Sequence, residues 1–300
     1  MKQIILSSLL LISVISQAQS YLIPGPSHGT GQQINSQPNN SSSNLQFYGF
    51  DQFRQSEQEA IFQQNLYDQA RSGSWEEKTA QQNRDRAIET GLYVIKSINT
   101  FYGMQYTQIE TITNELNQKY RQARAGSAME RFYNQSQISS INALSNELNR
   151  VIQSIQNSDL LIKFGHENKQ KYNQAQSGSK LEATYNLAYK NSFQKLPNLV
   201  SFENNNRRNF KDIEFVATTF HSLYSQARAG SAEESAYSVT RNNSLSQAHQ
   251  LFKNQIQYMQ RFELQNIQAE YDQKYRQAPA GSQLEQYYRS IRDLARSHIR

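Results

Sequence analysis

Apolar residues along most of this chain recur every three or four positions, which is the spacing of one face of an α-helix. Two stretches show it clearly, namely Ile109, Ile112 and Leu116, and Ile141, Leu144, Leu148, Ile152 and Ile155. Strand-like alternation of apolar and polar residues is absent from the sequence. Because the apolar stripe is narrow, we expect an all-α protein whose helices pack on limited faces, with amide side chains covering the rest.

An eleven-residue motif, Tyr-x-Gln-Ala-x-x-Gly-Ser-x-x-Glu, occurs five times in the chain. Its tyrosines are Tyr67, Tyr120, Tyr172, Tyr224 and Tyr275, which are 53, 52, 52 and 51 residues apart. The chain therefore carries an internal repeat of about 52 residues. The motif copies at 67–77, 120–130, 172–182, 224–234 and 275–285 are the predicted repeat junctions.

Each motif predicts the end of one helix followed directly by the start of another. Glycine suits a backbone with positive φ at a helix end, serine is a preferred N-cap, and a glutamate three residues after it completes a capping box. The predicted corner residues are Gly73, Ser74, Glu77, Gly126, Ser127, Glu130, Gly178, Ser179, Glu182, Gly230, Ser231, Glu234, Gly281, Ser282 and Glu285.

Two further features of the corners bear on where the preceding helices end. Arg71, Arg124 and Arg228 are expected in the last helical turn, where a positive charge complements the helix dipole. Pro279 takes this place in the fifth copy, so the helix before it is expected to end early.

Each repeat is predicted to be a pair of antiparallel helices. Breaks within the repeats are expected at Asn99–Gly103, Asn157–Asp159 and Leu196–Asn198. The repeat after Ser231 has no clear breaker, which leaves one helix of about 45 residues as an alternative there. Helical half-repeats at 51–70 and 282–297 fit hairpin arms of about twenty residues. The sequence thus predicts about ten helices stacked as an α-solenoid or elongated helical bundle.

The helix–turn–helix junctions resemble those of the tetratricopeptide class of helical repeats. In residues 172–189, tyrosine, alanine, glycine, alanine and then Tyr-x-Leu follow in the order seen at such junctions. The resemblance covers about eighteen residues of each repeat, and the repeats of that class are ~34 residues long. It implies helical repeats and, by analogy, a binding role.

Composition excludes several classes of protein. Hydrophobic residues make up 37% of the chain, or about 35% when 18 Tyr are dropped and 12 Gly added, against a typical ~45–50%. This excludes a membrane bundle and disfavours a thick single core. Polarity comes largely from 39 Gln and 27 Asn. The absence of cysteine excludes disulfides, thiolate metal sites and thiol catalysis.

The first residues predict export. Lys2, an apolar run from Ile4 to Ile15 and small residues ending at Ala18 together indicate a secretory signal peptide at 1–18. Residues 19–46 are rich in Ser, Asn, Gln and Pro, which is typical of a disordered linker. The helical repeat domain would span 47–300. We expect a bacterial periplasmic or extracellular location, without a transmembrane segment.

The sequence contains few candidates for catalysis or ligand binding. The five histidines have no metal-ligand spacing, and the recurrent glycines are accounted for as helix terminators, so no cofactor or metal is expected. The net charge is +6, and Arg207, Arg208 and Lys211 form a short basic cluster. We therefore expect no enzymatic activity, although a cell-envelope hydrolase with an unrecognised carboxylate pair remains one alternative.

The candidate partner-binding residues are the motif tyrosines and a basic face near the C-terminus. Tyr67, Tyr120, Tyr172, Tyr224 and Tyr275 precede the corners, and Tyr133, Tyr185, Tyr237 and Tyr288 follow them. These columns either are ordinary packing residues, which is the favoured interpretation, or interdigitate into an exposed aromatic strip. Arg289, Arg292 and Arg296 share one helical face that could meet an acidic surface.

The leading hypothesis is an exported, non-enzymatic helical-repeat protein that binds, or acts as a scaffold for, a protein or a cell-envelope polymer. The second hypothesis is a structural spacer or a self-assembling fibre or oligomer subunit. Nucleic acid is not an expected partner, because an exported protein does not meet the genome.

Overall fold

The computed structural model describes residues 48–97 and 100–299, which form ten α-helices, one short 3-10 helix and no strand. The predicted all-α fold class is confirmed. The predicted signal peptide at 1–18 and linker at 19–46 lie outside the described residues. The helices are α1 (Tyr48–Gln69), α2 (Trp75–Lys96), α3 (Tyr106–Gln122), α4 (Ala128–Ser154), α5 (Ser158–Gln174), α6 (Lys180–Asn205), α7 (Phe210–Gln226), α8 (Ala232–Gln255), α9 (Arg261–Gln277) and α10 (Gln283–His298).

The ten helices pair into five consecutive hairpins, α1–α2, α3–α4, α5–α6, α7–α8 and α9–α10. The second helix of each hairpin also packs against the second helix of the next, so that α2, α4, α6, α8 and α10 form a continuous row. This order of contacts is that of a helical repeat, in which each unit buries its apolar stripe against its neighbours.

The five corners share one backbone conformation. Every first helix ends at a glutamine four residues before the corner glycine, as at Gln174 before Gly178. The amide of Ser179 then donates to the carbonyl of Gln176 at 3.0 Å, which closes a β-turn with Gly178 in its third position at a φ of 75°. The positive φ predicted at the corner glycines is confirmed at all five, where φ lies between 75° and 81°.

Two details of the corner prediction are wrong, for one reason. Arg71, Arg124 and Arg228 lie two residues beyond their helices, at the first position of the β-turn, rather than in the last helical turn. Pro279 does not shorten its helix, because α9 ends at Gln277, the same position as in the other copies. The first residue of the turn is already outside the helix, so proline fits there without losing a helical hydrogen bond.

The predicted serine caps form at every corner. In the third copy the Ser179 hydroxyl accepts from the amide of Glu182 at 3.0 Å, and the Glu182 carboxylate accepts from the amide of Gly178 at 2.5 Å. The other four copies repeat both bonds at 3.0–3.1 Å and 2.5–2.6 Å. Because the serine amide closes the β-turn, the glutamate binds the glycine amide one residue earlier than in a standard capping box.

Two of the three predicted breaks are found. The chain leaves helix between α2 and α3 and again at Ile155–Asn157, where Asn157 caps α5. The break at Leu196–Asn198 is wrong, since Pro197 lies inside α6, beside the buried Leu196 and Leu199. Packing of that apolar face outweighs the helical hydrogen bond that proline cannot donate.

The repeat after Ser231 is also two helices. α8 ends at Gln255, a 3-10 turn follows at Ile256–Tyr258, and Gln260 with Glu263 forms a capping box that starts α9. A single helix of about 45 residues is thereby excluded. The terminal half-repeats, predicted at 51–70 and 282–297, are α1 and α10.

Replacing Gly178 with valine should lower the free energy of unfolding by about 1–3 kcal/mol, because a β-branched residue is strained at positive φ. A Cβ at this position meets no atom within 4 Å, so the loss would report backbone strain alone. Gly178→Asn is the control and should lose less, since asparagine tolerates this conformation better. Thermal or urea unfolding measures both, and equal stability of Gly178→Val and the wild type would contradict the assignment.

Candidate functional site

A glutamate, a lysine and a tyrosine from two consecutive hairpins meet where those hairpins pack. Glu57 of α1 is buried and accepts from the Nζ of Lys119 in α3 at 2.7 Å. The same Nζ lies 5.9 Å from the ring centre of Tyr133 in α4. Lys119 is thus held by a tyrosine of its own hairpin and by a carboxylate of the preceding one.

The same arrangement recurs at two other interfaces. Lys171 lies 2.7 Å from Glu110 of the preceding hairpin and 5.7 Å from the ring of Tyr185. Lys274 lies 2.7 Å from the buried Glu214 and 5.8 Å from the ring of Tyr288. Counted from the corner glycine, the glutamate is always at −16, the lysine at −7 and the tyrosine at +7. We call this set the register cluster.

The third interface replaces the ion pair with apolar residues. Ile162 and Leu223 take positions −16 and −7 there, and both pack against the hydrophobic core. A different ion pair, between Lys169 and Glu233 at 2.6 Å, joins the two hairpins instead. Glutamate and lysine are lost together, which avoids leaving either charge buried without its partner.

The first and last hairpins lack the residues that would continue the register cluster outward. In the first hairpin, Leu66 stands at the lysine position and is 41% exposed, while Ala80 stands at the tyrosine position. In the last hairpin, the exposed Gln265 stands at the glutamate position. The outer face of the first hairpin therefore cannot form a register cluster with the outer face of the last hairpin.

At three of the four interfaces, the register cluster goes with a displacement of one hairpin along the helix direction of the other. A residue at −16 meets one at −7 of the next hairpin, which is a shift of nine residues, or about 14 Å at 1.5 Å per residue. Asn191 in α6 donates to Asn149 in α4 at 2.9 Å, and these positions differ by ten residues. Each corner therefore lies against the middle of the preceding hairpin, and a groove forms at the step.

Two such grooves are found between the first three hairpins, and we call them the corner grooves. The first has a volume of about 450 Å³ and lies between Tyr67 with Arg84 on one side and the second corner, Arg124–Met129, on the other. The second has a volume of about 800 Å³ and lies between Tyr120 with Gln137 and the third corner, Gln176–Lys180. Both are lined by the same repeat positions.

One pair of positions in the groove walls varies from repeat to repeat. Positions −9 and +11 face each other across every hairpin, and each copy has a different combination of groups, with arginine at +11 in three of them. The pairs are Gln64 with Arg84 at 3.0 Å, Asn117 with Gln137 at 2.8 Å, Lys169 over the Tyr189 ring at 5.5 Å, His221 with Arg241 at 3.4 Å and Asp272 with Arg292 at 3.4 Å. The pair lies outside the eleven-residue motif, so the motif does not predict it. An alignment of the five repeats at their corner glycines contains it.

The predicted tyrosines before the corners are all half-buried. Tyr67 and Tyr120 line the corner grooves, and Tyr120, Tyr172, Tyr224 and Tyr275 pack against the hydrophobic core. In three hairpins the arginine at +11 covers the ring, with Arg84, Arg241 and Arg292 at 5.1, 4.9 and 4.7 Å from Tyr67, Tyr224 and Tyr275.

The tyrosines after the corners belong to the core. Tyr133, Tyr185, Tyr237 and Tyr288 are each less than 9% exposed. Within residues 48–97 and 100–299, no ring pair joins a tyrosine before a corner to one after it. The two columns therefore do not form a continuous aromatic seam, since the second column is buried in the core.

Two of the three arginines on the predicted basic face of α10 are bonded within the chain. Arg289 donates to the hydroxyl of Tyr275 at 2.8 Å, and Arg292 binds Asp293 at 2.8 Å and Asp272 at 3.4 Å. Arg296, one turn further on, is exposed. The structure thus brings Arg289 and Arg292 to the fifth motif tyrosine and leaves Arg296 apart from them.

Burial controls the ionisation of the core tyrosines. It raises the pKa of Tyr133, Tyr185 and Tyr237, and neighbouring carboxylates at Glu57, Glu110 and Glu233 add to the effect. It also raises the pKa of Tyr271 and Tyr287, which both donate to Glu214.

The buried carboxylates are engaged in the packing of the hairpins. Glu57 and Glu115 share Arg54 and Lys119, while Glu214 accepts from Lys274 and from two tyrosines. In the described part of the chain, no three His, Asp or Glu residues lie close enough together to hold a metal ion.

Comparison of the chain with protein-family models, curated proteins and solved structures finds no match in any of the three. The resemblance to tetratricopeptide-type repeats therefore rests on the junction residues alone. Among the described residues, no helix combines the length and apolar character needed to cross a membrane.

Removing one member of a register cluster should cost more than removing both. Glu110→Ile and Lys171→Leu, which copy the third interface, should each lower the free energy of unfolding by about 1–3 kcal/mol, because the remaining group loses its partner. The double variant should lose less than the sum of the two, with a coupling of about 1 kcal/mol or more. Urea unfolding of all four proteins measures this.

The pair Glu147 and Arg150 is the matched control, because the arginine side chain is 64% exposed. Its coupling should stay near or below about 0.5 kcal/mol. A coupling at Glu110 and Lys171 that is no larger would show that the register cluster does not stabilise the interface.

The buried tyrosines should make the protein lose stability at alkaline pH. Their pKa is raised in the folded state, so the unfolded chain loses its phenolic protons first once the pH exceeds about 10. Their contribution is complete below that pH, and it falls above it by about 1.4 kcal/mol per pH unit for each tyrosine. Tyr185→Phe should flatten this pH dependence, and an unchanged slope in urea unfolding would contradict the role assigned to Tyr185.

Proposed function

We propose that this protein is an exported, non-enzymatic binding or scaffold module whose recognition surface is the row of corner grooves. Its partner is a protein segment or a cell-envelope polymer that runs along successive repeats. The leading observation in support is the recurrence of one groove with a constant tyrosine and a variable polar pair.

A constant frame with variable contact positions is the arrangement expected of a repeat-based binding surface. The corner glycine, serine and glutamate hold the backbone in the same conformation five times. Position −9 holds a different residue in every copy, whereas +11 is arginine in three of them, so each step would offer a partner a different hydrogen-bonding group from −9. Position −9 is half-buried in every copy, whereas Arg84, Tyr189 and Arg241 at +11 are buried, so −9 is the position that a partner would meet.

The spacing of the grooves suits an extended chain. A shift of about 14 Å along the helices, combined with ~10 Å between packed helices, places successive grooves roughly 17 Å apart. An extended polypeptide covers that distance with about five residues. The cations Arg84, Arg121, Arg124 and Lys180 outnumber Asp68 around the two grooves, which favours an acidic partner.

The end hairpins weigh against a fibre built by repeating the internal interface. Leu66, Ala80 and Gln265 cannot form the register cluster between two copies of the chain. Head-to-tail growth would therefore lack the contact that joins the hairpins within the chain, which favours a finite array over the self-assembly hypothesis.

Site-specific photo-crosslinking in the native cell-envelope fraction tests the proposal. A crosslinking amino acid at Gln176 or Arg124 in the corner grooves should capture the partner. The same amino acid at the exposed Gln153, at the other end of its hairpin, should capture much less. Tyr120→Ser should reduce the yield at Gln176 because it removes one wall of that groove.

Circular dichroism and unfolding curves would establish that the Tyr120→Ser variant remains folded. Equal capture from Gln153 and Gln176 would refute recognition in the grooves. Crosslinks formed only between copies of the chain, together with a mass that rises with concentration, would instead favour self-assembly.

A further inference from the structure

The connection between α2 and α3 is longer than the other connections between hairpins and contains a β-turn. It spans nine residues, 97–105, whereas the others span three to five. The amide of Met104 donates to the carbonyl of Phe101 at 3.2 Å, with Gly103 in the third position of the turn at a φ of 78°. Met104 is buried, and the hydroxyl of Thr100 donates to a carbonyl of α2. The turn is therefore fixed to the hairpins on both sides.

A cavity of about 400 Å³ lies between this turn and α4, and we call it the loop cavity. The buried Ile95 and Ile109 form part of its apolar lining. Tyr102, the second residue of the turn, also lines it and has a side chain that is 83% exposed. A volume of this size is typical of a site for a small ligand.

Two asparagines of α4 line the loop cavity with free hydrogen-bonding groups. Asn142 and Asn146 are exposed, and their side chains hydrogen-bond to no other residue in the described part of the chain. Asn149 on the same helix differs, because it accepts from Asn191. The two free asparagines are one turn apart, or about 6 Å along the helix axis. Each amide can both donate and accept.

The charged groups of the loop cavity largely cancel. Glu147 and Arg150 form a bidentate ion pair at 2.8 and 2.6 Å, so they neutralise each other. Lys96, the third charged residue of the lining, keeps its charge and donates to Gln135 at 3.3 Å. A ligand in the cavity therefore meets one net positive charge and several neutral hydrogen-bonding groups.

We propose that the loop cavity binds one or two pyranose rings of a neutral oligosaccharide. The exposed ring of Tyr102 offers a flat surface on which the C–H face of a pyranose can pack. The amides of Asn142 and Asn146 donate and accept, which is what the hydroxyl groups along the edge of a sugar require. A purely apolar ligand would leave these amides without partners, at a cost in free energy.

This inference does not depend on the proposed recognition in the corner grooves. The loop cavity shares no lining residue with either groove. Failure of the sugar experiment would therefore leave the crosslinking experiment unaffected, and the reverse also holds.

Isothermal titration calorimetry with maltotriose, cellotriose and chitotriose tests the proposal. At least one of these neutral trisaccharides should bind saturably. Asn142→Ala combined with Asn146→Ala should weaken binding about 25-fold, because each lost hydrogen bond contributes about fivefold. Alanine favours helix, so α4 should stay folded in this variant. Absence of binding to all three sugars, or unchanged affinity in the double variant, would overturn the proposal.

Two matched controls separate the loop cavity from the rest of the surface. Tyr102→Ser should weaken binding, whereas Tyr93→Ser should not, because Tyr93 is 81% exposed but does not line the cavity. Asn134→Ala should also leave binding unchanged, since Asn134 is exposed on the same helix but lines the second corner groove. A loss in either control as large as that in its partner variant would refute the assignment to this cavity.

Two further probes test the chemical class of the ligand. Tighter binding of the anionic trigalacturonate that Lys96→Gln abolishes would overturn the assignment to a neutral sugar. Binding of tetra-alanine that the double asparagine variant abolishes would overturn the assignment to a sugar.

Tryptophan fluorescence provides a second readout. The chain has a single tryptophan, Trp75, which lies at a corner and is 75% exposed. Its emission should not change when the bound trisaccharide is added, whereas that of Trp75→Phe combined with Tyr102→Trp should change as the sugar covers the ring. A change in the wild type alone would contradict binding in the loop cavity.

Discussion

The contact of one lysine with a carboxylate of the preceding hairpin and a tyrosine of its own determines how the hairpins stack. Lys119, Lys171 and Lys274 each lie 2.7 Å from the glutamate that they meet. Because that glutamate is nine positions away in the repeat, the contact corresponds to a shift of about 14 Å between the hairpins at three of the four interfaces. Without this shift the corners would lie side by side, and no groove would separate them.

Stability and recognition use different residues of the same repeat. The glycine, serine and glutamate of the corner and the buried tyrosine at +7 maintain the hairpin and its packing. The pair at −9 and +11 varies between copies, because its members contact each other at the groove wall and the residue at −9 is only partly buried in every hairpin. The fold therefore tolerates changes there, such as Gln64 with Arg84 in one hairpin and Asp272 with Arg292 in another.

The two ends of the hairpins have different surface chemistry. The corner end carries arginines, amides and half-buried tyrosines around grooves. The opposite end presents exposed aromatic rings, such as Tyr258 and Phe262, and charged residues of both signs.

The sequence by itself determined the helices, the five corners and their caps, because these depend on spacing, positive φ and hydrogen bonds within a few residues. Pro197 and Pro279 were misjudged, since the effect of proline depends on packing and on where a helix has already ended. The tertiary structure alone shows which tyrosines are buried. It alone also shows that Lys171 contacts Glu110. Those contacts join residues about sixty positions apart, and their register depends on the shift between hairpins, which no local pattern encodes.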